Sequence, residues 1–256
     1  MAEQEDLEAF FTADGDELVP APHARGPWSA DMLHGRLLGG LMARAIERDH
    51  AEEGLHVARF TVDLYRNSPL IPLRISTTQV RDGRRIRVVD AAVIGERGPI
   101  ARACAVLLKR GAQPAGEVWA APVWDVPSPE RLGAPRVHEG STFDMWPIDG
   151  ETFFSAERHR VWVRETRPLV AGEPVSPMVR VALAADMASP MAHFGSAGLK
   201  YINADYSINL SRLPLGDTLG IEAAGHLSDE GIAAGQCVLY DTAGPIGFCA
   251  TSAIVN

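Results

Sequence analysis

Polar side chains alternate with apolar ones along residues 202–210, which read INADYSINL. If this segment forms a strand, Asp205 shares one face with Asn203 and Ser207, because successive side chains of a strand point to opposite faces. A carboxylate among amides and a hydroxyl can orient and deprotonate a water molecule, as a general base must. Asp205 is therefore a candidate catalytic residue, and the alternative is a polar strand face in solvent.

A second candidate site lies where the first predicted helix begins. His34 and Gly35 precede a pattern of apolar residues at helical spacing over 37–48, and Gly39 and Gly40 stand near its start. Glycine lowers helix propensity, so this pair calls for a reason. Either His34 and the amides near the glycines line a ligand pocket, or the glycines allow the helix to pack tightly on a sheet. Both can hold at once.

Arginines cluster at a predicted hairpin. Arg84 and Arg85 follow the turn dipeptide Asp82-Gly83 on a chain of formal net charge −9. Such a local basic patch suits the phosphates of an anionic ligand, and the alternative is an ordinary solvated hairpin. The eight histidines show no metal-ligand spacing, and neither a phosphate-binding glycine loop nor a Gly-x-Ser-x-Gly signature occurs. We therefore expect no metal and no redox cofactor.

The elements that must position these residues occur twice. Gly98-Pro99-Ile100 returns as Gly244-Pro245-Ile246, a displacement of 146 residues (244 − 98). In each half a helical pattern, 37–48 or about 175–188, is followed by four strand-like runs with short turns between them. Short turns favour antiparallel pairing. The sequence thus predicts an α+β fold made of two tandem copies of a long helix wrapped by a curled antiparallel sheet.

Prolines and tryptophans mark the junction of the two copies. We predict an N-terminal unit over 1–115, a linker over 116–150 and a C-terminal unit over 151–256. Trp119, Trp124 and Trp146 lie in the linker and are expected to pin it to the folded body, because a disordered linker rarely carries so many aromatic residues. A binding site is expected where the units meet.

Composition narrows the class of protein. The chain has 256 residues, of which 46% are hydrophobic and 22% charged, as in ordinary soluble proteins. Its net negative charge argues against binding to nucleic acid or anionic membranes. Three cysteines in apolar runs indicate reduced core thiols. Neither a signal-peptide pattern nor an apolar run of membrane-spanning length is present, so we expect a cytoplasmic protein.

Six stretches carry a resemblance to a known family: HGRLLGGLMARAIE (34–47), FTVDLYRNSPL (60–70), VVDAAVIGERGPIARACAVLL (88–108), VSPMVRVALAADMAS (175–189), INADYSINLSRLPLGD (202–217) and LYDTAGPIGFCATSAIV (239–255). They resemble the type II acyl-CoA thioesterases and their thioesterase-like relatives, whose fold is the double hotdog. The resemblance implies an acyl-CoA substrate, no cofactor and a place in lipid metabolism.

It also implies hydrolysis by a water molecule that a carboxylate activates with help from a hydroxyl and an amide side chain. The carboxylate that matches is Asp205. The assisting positions fall near His226 and Ser228 and near Thr251 and Ser252, and none of these replaces the family's glutamine.

The resemblance further implies that the thioester oxygen is received by helix N-terminal amides. In this sequence they would lie near Gly39 and Gly40, with His34 lining the pocket. Arg84 and Arg85 would meet the phosphates of coenzyme A.

Two alternatives on the same fold stay open. One is a non-hydrolytic protein that binds acyl thioesters, in keeping with the missing glutamine. The other is an enoyl-CoA hydratase or dehydratase, which uses a histidine and a carboxylate and for which His34 is the candidate histidine. An acyl-carrier thioester is a further substrate. The two units are expected to pair as a pseudo-dimer, and a homo-oligomer of such protomers is compatible with a complete site but not required for it.

Overall fold

The computed structural model describes residues 8–27, 29, 31–120, 124–137, 143–148 and 154–256. The helix and the four strand-like runs predicted in each half occur in the predicted order, together with short strands that were not predicted. The helices are α1 (Gly35–His50), α2 (Pro129–Leu132), α3 (Pro177–Ala185) and α4 (Ala188–His193). The strands are β1 (Phe11–Asp14), β2 (Glu17–Pro20), β3 (Leu55–Leu64), β4 (Arg74–Asp82), β5 (Ile86–Gly95), β6 (Gly98–Lys109), β7 (Phe143–Pro147), β8 (Arg160–Glu165), β9 (Phe194–Gly195), β10 (Gly198–Leu199), β11 (Tyr201–Asn203), β12 (Asp205–Leu210), β13 (Thr218–Asp229), β14 (Ile232–Asp241) and β15 (Gly244–Val255).

Strands from both halves form one antiparallel sheet. Their order is β4-β5-β6-β3-β12-β15-β14-β13-β8-β7, and β11 pairs with β15 beside this path. The halves meet where β3 pairs with β12, from Asp63 opposite Asp205 to Arg59 opposite Asn209. This pairing covers one sheet edge of each half, which would otherwise be open to association. The predicted α+β class and the pairing of the two halves through their sheets are confirmed.

The helix α1 lies against this sheet and is buried over most of its length. Ten of its 16 residues are buried, and it contacts β4, β5, β6 and α3. It extends two residues beyond each end of the predicted helix over 37–48. The second predicted helix is shorter than expected, because α3 ends at Ala185 and α4 begins at Ala188. Ser176 caps α3 as its sequence suggests, since its Oγ accepts the Val179 N–H at 3.1 Å.

Gly39 and Gly40 allow α1 to approach α3 and β12 closely. A Cβ on Gly39 would lie 1.7 Å from the hydroxyl oxygen of Tyr206, and one on Gly40 would lie 2.6 Å from Leu183 Cδ2. Tyr206 is fully buried and its hydroxyl donates to the Ala182 carbonyl at 3.0 Å, so it cannot give way easily. Packing therefore explains both glycines.

The segment predicted as a linker contains regular structure. It contributes α2 and also β7, which pairs with β8. Trp124 and Trp146 pack in a cluster with Trp162 and Tyr240, as expected of anchoring tryptophans. Trp119 does not, since it is 85% exposed. Among the described residues, no helix is long and apolar enough to cross a membrane.

Candidate active site

A cavity of about 260 Å³, called here the inner cavity, lies at the N-terminal end of α1. The first half of the chain lines it with His34, Gly35 and Ser68, and the second half lines it with Asp186 and Asn203. It is thus built from both halves, as expected of a site in a duplicated fold.

Asp186 presents a buried carboxylate to the inner cavity. Its side chain is 13% exposed, and its Oδ1 accepts a hydrogen bond from Asn203 Nδ2 at 2.9 Å. Burial raises the pKa of this carboxyl above its usual value, while the Asn203 hydrogen bond and the Arg36 charge oppose the rise. His34 Nδ1 lies 3.8 Å from Oδ2, beyond hydrogen-bond range. Among the described residues, Oδ1 therefore has a hydrogen-bond partner and Oδ2 has none, which leaves Oδ2 for a molecule in the cavity.

His34 caps α1, and Gly35, the residue after it, lines the same cavity. His34 Nδ1 accepts the Arg36 N–H at 3.4 Å, so that ring nitrogen carries no proton. Burial and the Arg36 charge lower the pKa of His34 to about 3, which keeps the ring neutral at ordinary pH. The Gly35 N–H makes no hydrogen bond to any described residue. Such an amide, at the positive end of a helix dipole, favours a negatively charged oxygen.

Asn203 reaches Asp186 because the strand is interrupted by a β-bulge. On β15, Asn203 is opposite Ala253 and Ser207 is opposite Ala250, so four steps along one strand match three along the other. An extra residue, Ala204, turns the side chains before it to the other face. The prediction that Asn203 and Asp205 share a face is therefore wrong.

Asp205 lies outside the inner cavity. It is half-buried at the start of β12, and its Oδ1 accepts the backbone N–H of Ser252 at 2.7 Å. The side chain of Ser252 is exposed on the outer face of the sheet. The structure thus brings these two predicted catalytic residues together, but not at the start of α1.

His226 and Ser228 lie in another place. His226 lines a separate cavity of about 540 Å³, called here the histidine cavity. Its Nε2 is 3.0 Å from Ser228 Oγ, and its Nδ1 is 2.8 Å from His193 Nδ1. His193 Nε2 continues the chain to Thr251 Oγ1 at 3.1 Å. Burial and the neighbouring His226 lower the pKa of His193 to about 4. This hydrogen-bonded chain includes neither Asp205 nor Asp186.

Two further expectations concern Gly39 and Gly40 at the thioester oxygen, and Arg84 and Arg85 at the coenzyme A phosphates. The structure favours neither. The amides of Gly39 and Gly40 belong to the interior of α1, where helical hydrogen bonds occupy them, so the accessible amide is that of Gly35. Arg84 and Arg85 are exposed at the tip of the β4–β5 hairpin.

A further cavity of about 510 Å³, the outer cavity, lies at the opposite end of β5. The ten residues of β5 put roughly 30 Å between its two ends at about 3.3 Å per residue. Arg66 and Arg97 line the outer cavity, so the arginines beside the site are not those of the hairpin. The outer and inner cavities share four lining residues, which are Met32, Arg66, Asn67 and Ser68.

Both halves of the chain match models of one protein family. A model described as the acyl-CoA thioesterase N-terminal domain matches residues 24–108. A model described as the acyl-CoA thioesterase C-terminal domain matches residues 119–255. This chain belongs to the acyl-CoA thioesterase family. The family resemblance inferred from the sequence is confirmed.

Solved structures are similar to this thioesterase-family chain over most of its length. The tesB protein of Mycobacterium avium subspecies paratuberculosis is 16% identical with a TM-score of 0.72, and 96% of each chain is covered. A conserved hot dog-fold protein from Alicyclobacillus acidocaldarius is 14% identical with a TM-score of 0.75, covering 100% of this chain and 98% of that one. The acyl-CoA thioesterase II TesB2 of Mycobacterium marinum is 13% identical with a TM-score of 0.62, covering 86% and 90%. No curated protein matches the sequence. The likeness shows the fold, and the predicted double hotdog is confirmed.

The surroundings of the start of α1 differ from those of the start of α3 in this thioesterase-family chain. When the first residues of α1 and α3 are aligned, Ser176 stands at the position of His34 and Arg44 at that of Asp186. Arg44 forms an ion pair with Glu173 there. A paired arginine thus replaces the buried carboxylate at the pseudo-symmetric end. A different carboxylate, that of Glu47, lies at the start of α3, where it accepts the hydroxyl of the capping residue Ser176.

Sequence reasoning overlooked Asp186, although one signal was available. Asp186 is the only charged residue in the apolar run 181–192 (VALAADMASPMA), where a solvated role is unusual. Asn203 was noticed but placed on the wrong face. The core-facing neighbour of Asn203 across the sheet is Ala253, whose side chain offers no hydrogen bond.

Proposed function

We propose that this protein hydrolyses an acyl-CoA to a free acid and coenzyme A, with Asp186 as the general base. The observation that carries the proposal is the buried Asp186 carboxylate, held by Asn203 beside the start of α1. Asp205, Ser252, His226 and Ser228 have no part in this mechanism.

The reaction would proceed by attack of a water molecule bound to Asp186 Oδ2. Asn203 fixes Oδ1 and so sets the direction in which Oδ2 accepts the water proton. The water oxygen forms a bond to the thioester carbon as Asp186 takes the proton, and the carbonyl oxygen becomes negative near the Gly35 amide. Collapse of this intermediate breaks the carbon–sulfur bond, and the proton passes from Asp186 to the departing thiolate.

A panel of acyl-CoA esters of short, medium and long chain tests this function. Release of free thiol, measured colorimetrically, is expected from at least one member, and acyl-carrier thioesters should be assayed beside them. Tight binding of acyl-CoA without thiol release would instead support the non-hydrolytic binder. Absence of both would overturn the assignment.

A second candidate function is hydration of an enoyl-CoA. It is favoured by one observation, the approach of His34 Nδ1 to Asp186 Oδ2 at 3.8 Å, since hydratases use a histidine and a carboxylate together. Thioester hydrolysis is the stronger proposal, because the hydrogen bond from Asn203 fixes Oδ1 of Asp186 and leaves Oδ2 to orient a water molecule. Loss of enoyl absorbance without thiol release would reverse this order.

We also propose that the two units, 1–115 and 151–256, with the segment 116–150 between them, form a composite site. Asp186 belongs to the second unit, whereas His34 and Gly35 belong to the first. Each unit expressed alone should be inactive and poorly soluble, because separation exposes the edges joined at β3 and β12. An active second unit alone would refute this. The free, buried thiols of Cys237 and Cys249 support the reducing cytoplasm as its location, and a role in lipid metabolism follows from the proposed substrate.

A further inference from the structure

Ser68 carries a buried hydroxyl at the junction of the inner and outer cavities. Ser68 is among the residues that line both cavities, and it is 2% exposed. Its Oγ has no hydrogen-bond partner among the described residues. Buried hydroxyls are nearly always hydrogen-bonded, so one that is unpartnered within the protein and lines a cavity indicates a ligand there.

The backbone holds Ser68 beside the start of α1. The Leu33 N–H donates to the Ser68 carbonyl at 2.7 Å, and the Leu70 N–H donates to the Asp31 carbonyl at 3.2 Å. An antiparallel bridge between Met32 and Pro69 lies between these bonds. Residues 31–33 lead directly into the His34 cap and the Gly35 amide. The position of Ser68 relative to the helix start is therefore fixed by main-chain hydrogen bonds and not by its own side chain.

We propose that the Ser68 hydroxyl and the Gly35 amide together bind the thioester oxygen. This inference rests on the proposed function. Oxyanion sites in acyl transfer commonly use more than one donor, and a rotatable hydroxyl can turn its proton toward an oxygen as charge develops there. Ser68 transfers no proton in this role. The substrate oxygen supplies the hydrogen bond that none of the described residues makes to the Ser68 Oγ.

Kinetics of Ser68→Ala provide the first test. Loss of one oxyanion donor typically lowers kcat by about 100- to 1,000-fold, and KM should rise by about tenfold at most, because the contact is weaker with the uncharged carbonyl than with the charged oxygen of the transition state. Ser68→Thr, which keeps a hydroxyl, should recover part of the rate. Ser207→Ala is the matched control, since Ser207 Oγ contacts Thr61 Oγ1 at 2.6 Å in another part of the sheet. A kcat within about twofold of wild type for Ser68→Ala would overturn the proposal.

Binding of two unreactive analogues separates the Ser68 assignment from the proposed function. In the ketone analogue a methylene replaces the thioester sulfur, and in the thioether analogue a methylene replaces the carbonyl. Calorimetry should show that Ser68→Ala weakens the ketone analogue about tenfold, as expected for one hydrogen bond, and leaves the thioether unchanged. Equal loss for both, or for neither, would overturn the role of Ser68 alone. Failure of the wild type to bind either analogue would overturn the proposed function and this inference with it.

Discussion

Replacing Asp186 by asparagine removes the proposed base while keeping the size of the side chain. The new side-chain oxygen can still accept from Asn203 Nδ2, which now bonds Asp186 Oδ1 at 2.9 Å. The loss should therefore be that of the base alone, about 100- to 10,000-fold in kcat, or about 3–5 kcal/mol of activation free energy. Thiol release at saturating acyl-CoA measures it.

Asp205→Asn is the matched control for this substitution. Asp205 accepts a backbone amide outside the inner cavity, so its variant should retain the wild-type rate within about threefold. If Asp205→Asn lost about 100-fold and Asp186→Asn did not, the base would be Asp205 and the proposed mechanism would be wrong.

The pH dependence of the wild type should carry the signature of Asp186. Its pKa is raised by burial above the ordinary 3.8, so kcat/KM should fall with decreasing pH along a limb that lies above that value. The folded state also holds this proton more tightly than the unfolded state does. The free energy of unfolding should therefore decrease as pH rises from about 3.8 through the folded-state pKa, and Asp186→Asn should remove this contribution. Identical pH–stability curves for the variant and the wild type would contradict the burial argument.

Three further substitutions test the packing of α1, the binding of coenzyme A phosphates and the role of the histidine cavity. Gly39→Ala should lower the free energy of unfolding by about 1–3 kcal/mol because its Cβ would collide with the buried Tyr206. Gly111→Ala is the control and should not lower it, since no atom lies within 4 Å of its Cβ. Equal urea midpoints for the two variants would contradict the packing role of Gly39. Arg66 lines both the outer and the inner cavity, so we expect it, and not the hairpin, to contact the phosphates of coenzyme A. Arg66→Ala should raise KM for acyl-CoA about fivefold, as for one partly screened charge contact, and Arg84→Ala should not. The reverse ranking would assign the phosphate contact to the hairpin. His226→Ala should change thiol release less than about twofold because His226 lines a separate cavity, and a hundredfold loss would bring that cavity into the mechanism.

The helix α1 shows how much of the fold could be predicted locally. Its apolar residues recur at helical spacing, and this pattern alone located the helix to within two residues at each end. Turn dipeptides between the later strands likewise predicted antiparallel neighbours, and β4, β5 and β6 pair in that way. These features depend on residues close together in the chain, so they are visible without the tertiary structure.

The site depends on relations that local patterns do not contain. Alternation in INADYSINL predicts one polar face, but the β-bulge at Ala204 places Asn203 on the other. The bulge is set by pairing with β15, where Ala253, opposite Asn203, lies 50 positions further along the chain (253 − 203). A slip of one residue exchanges the faces of a strand, so alternation by itself could not decide which carboxylate Asn203 would meet.

By itself, the sequence determined the duplicated helix-on-sheet architecture, the thioester-binding family and the expectation of a site between the halves. The tertiary structure alone decided which residues meet there. It brought Asp186 to the start of α1 and placed Asp205, His226 and Arg84 elsewhere. The physical reason is the range of the interactions involved. Periodicity and turn preferences act over a few residues, whereas the environment of a buried carboxylate is created by packing between two halves of the chain.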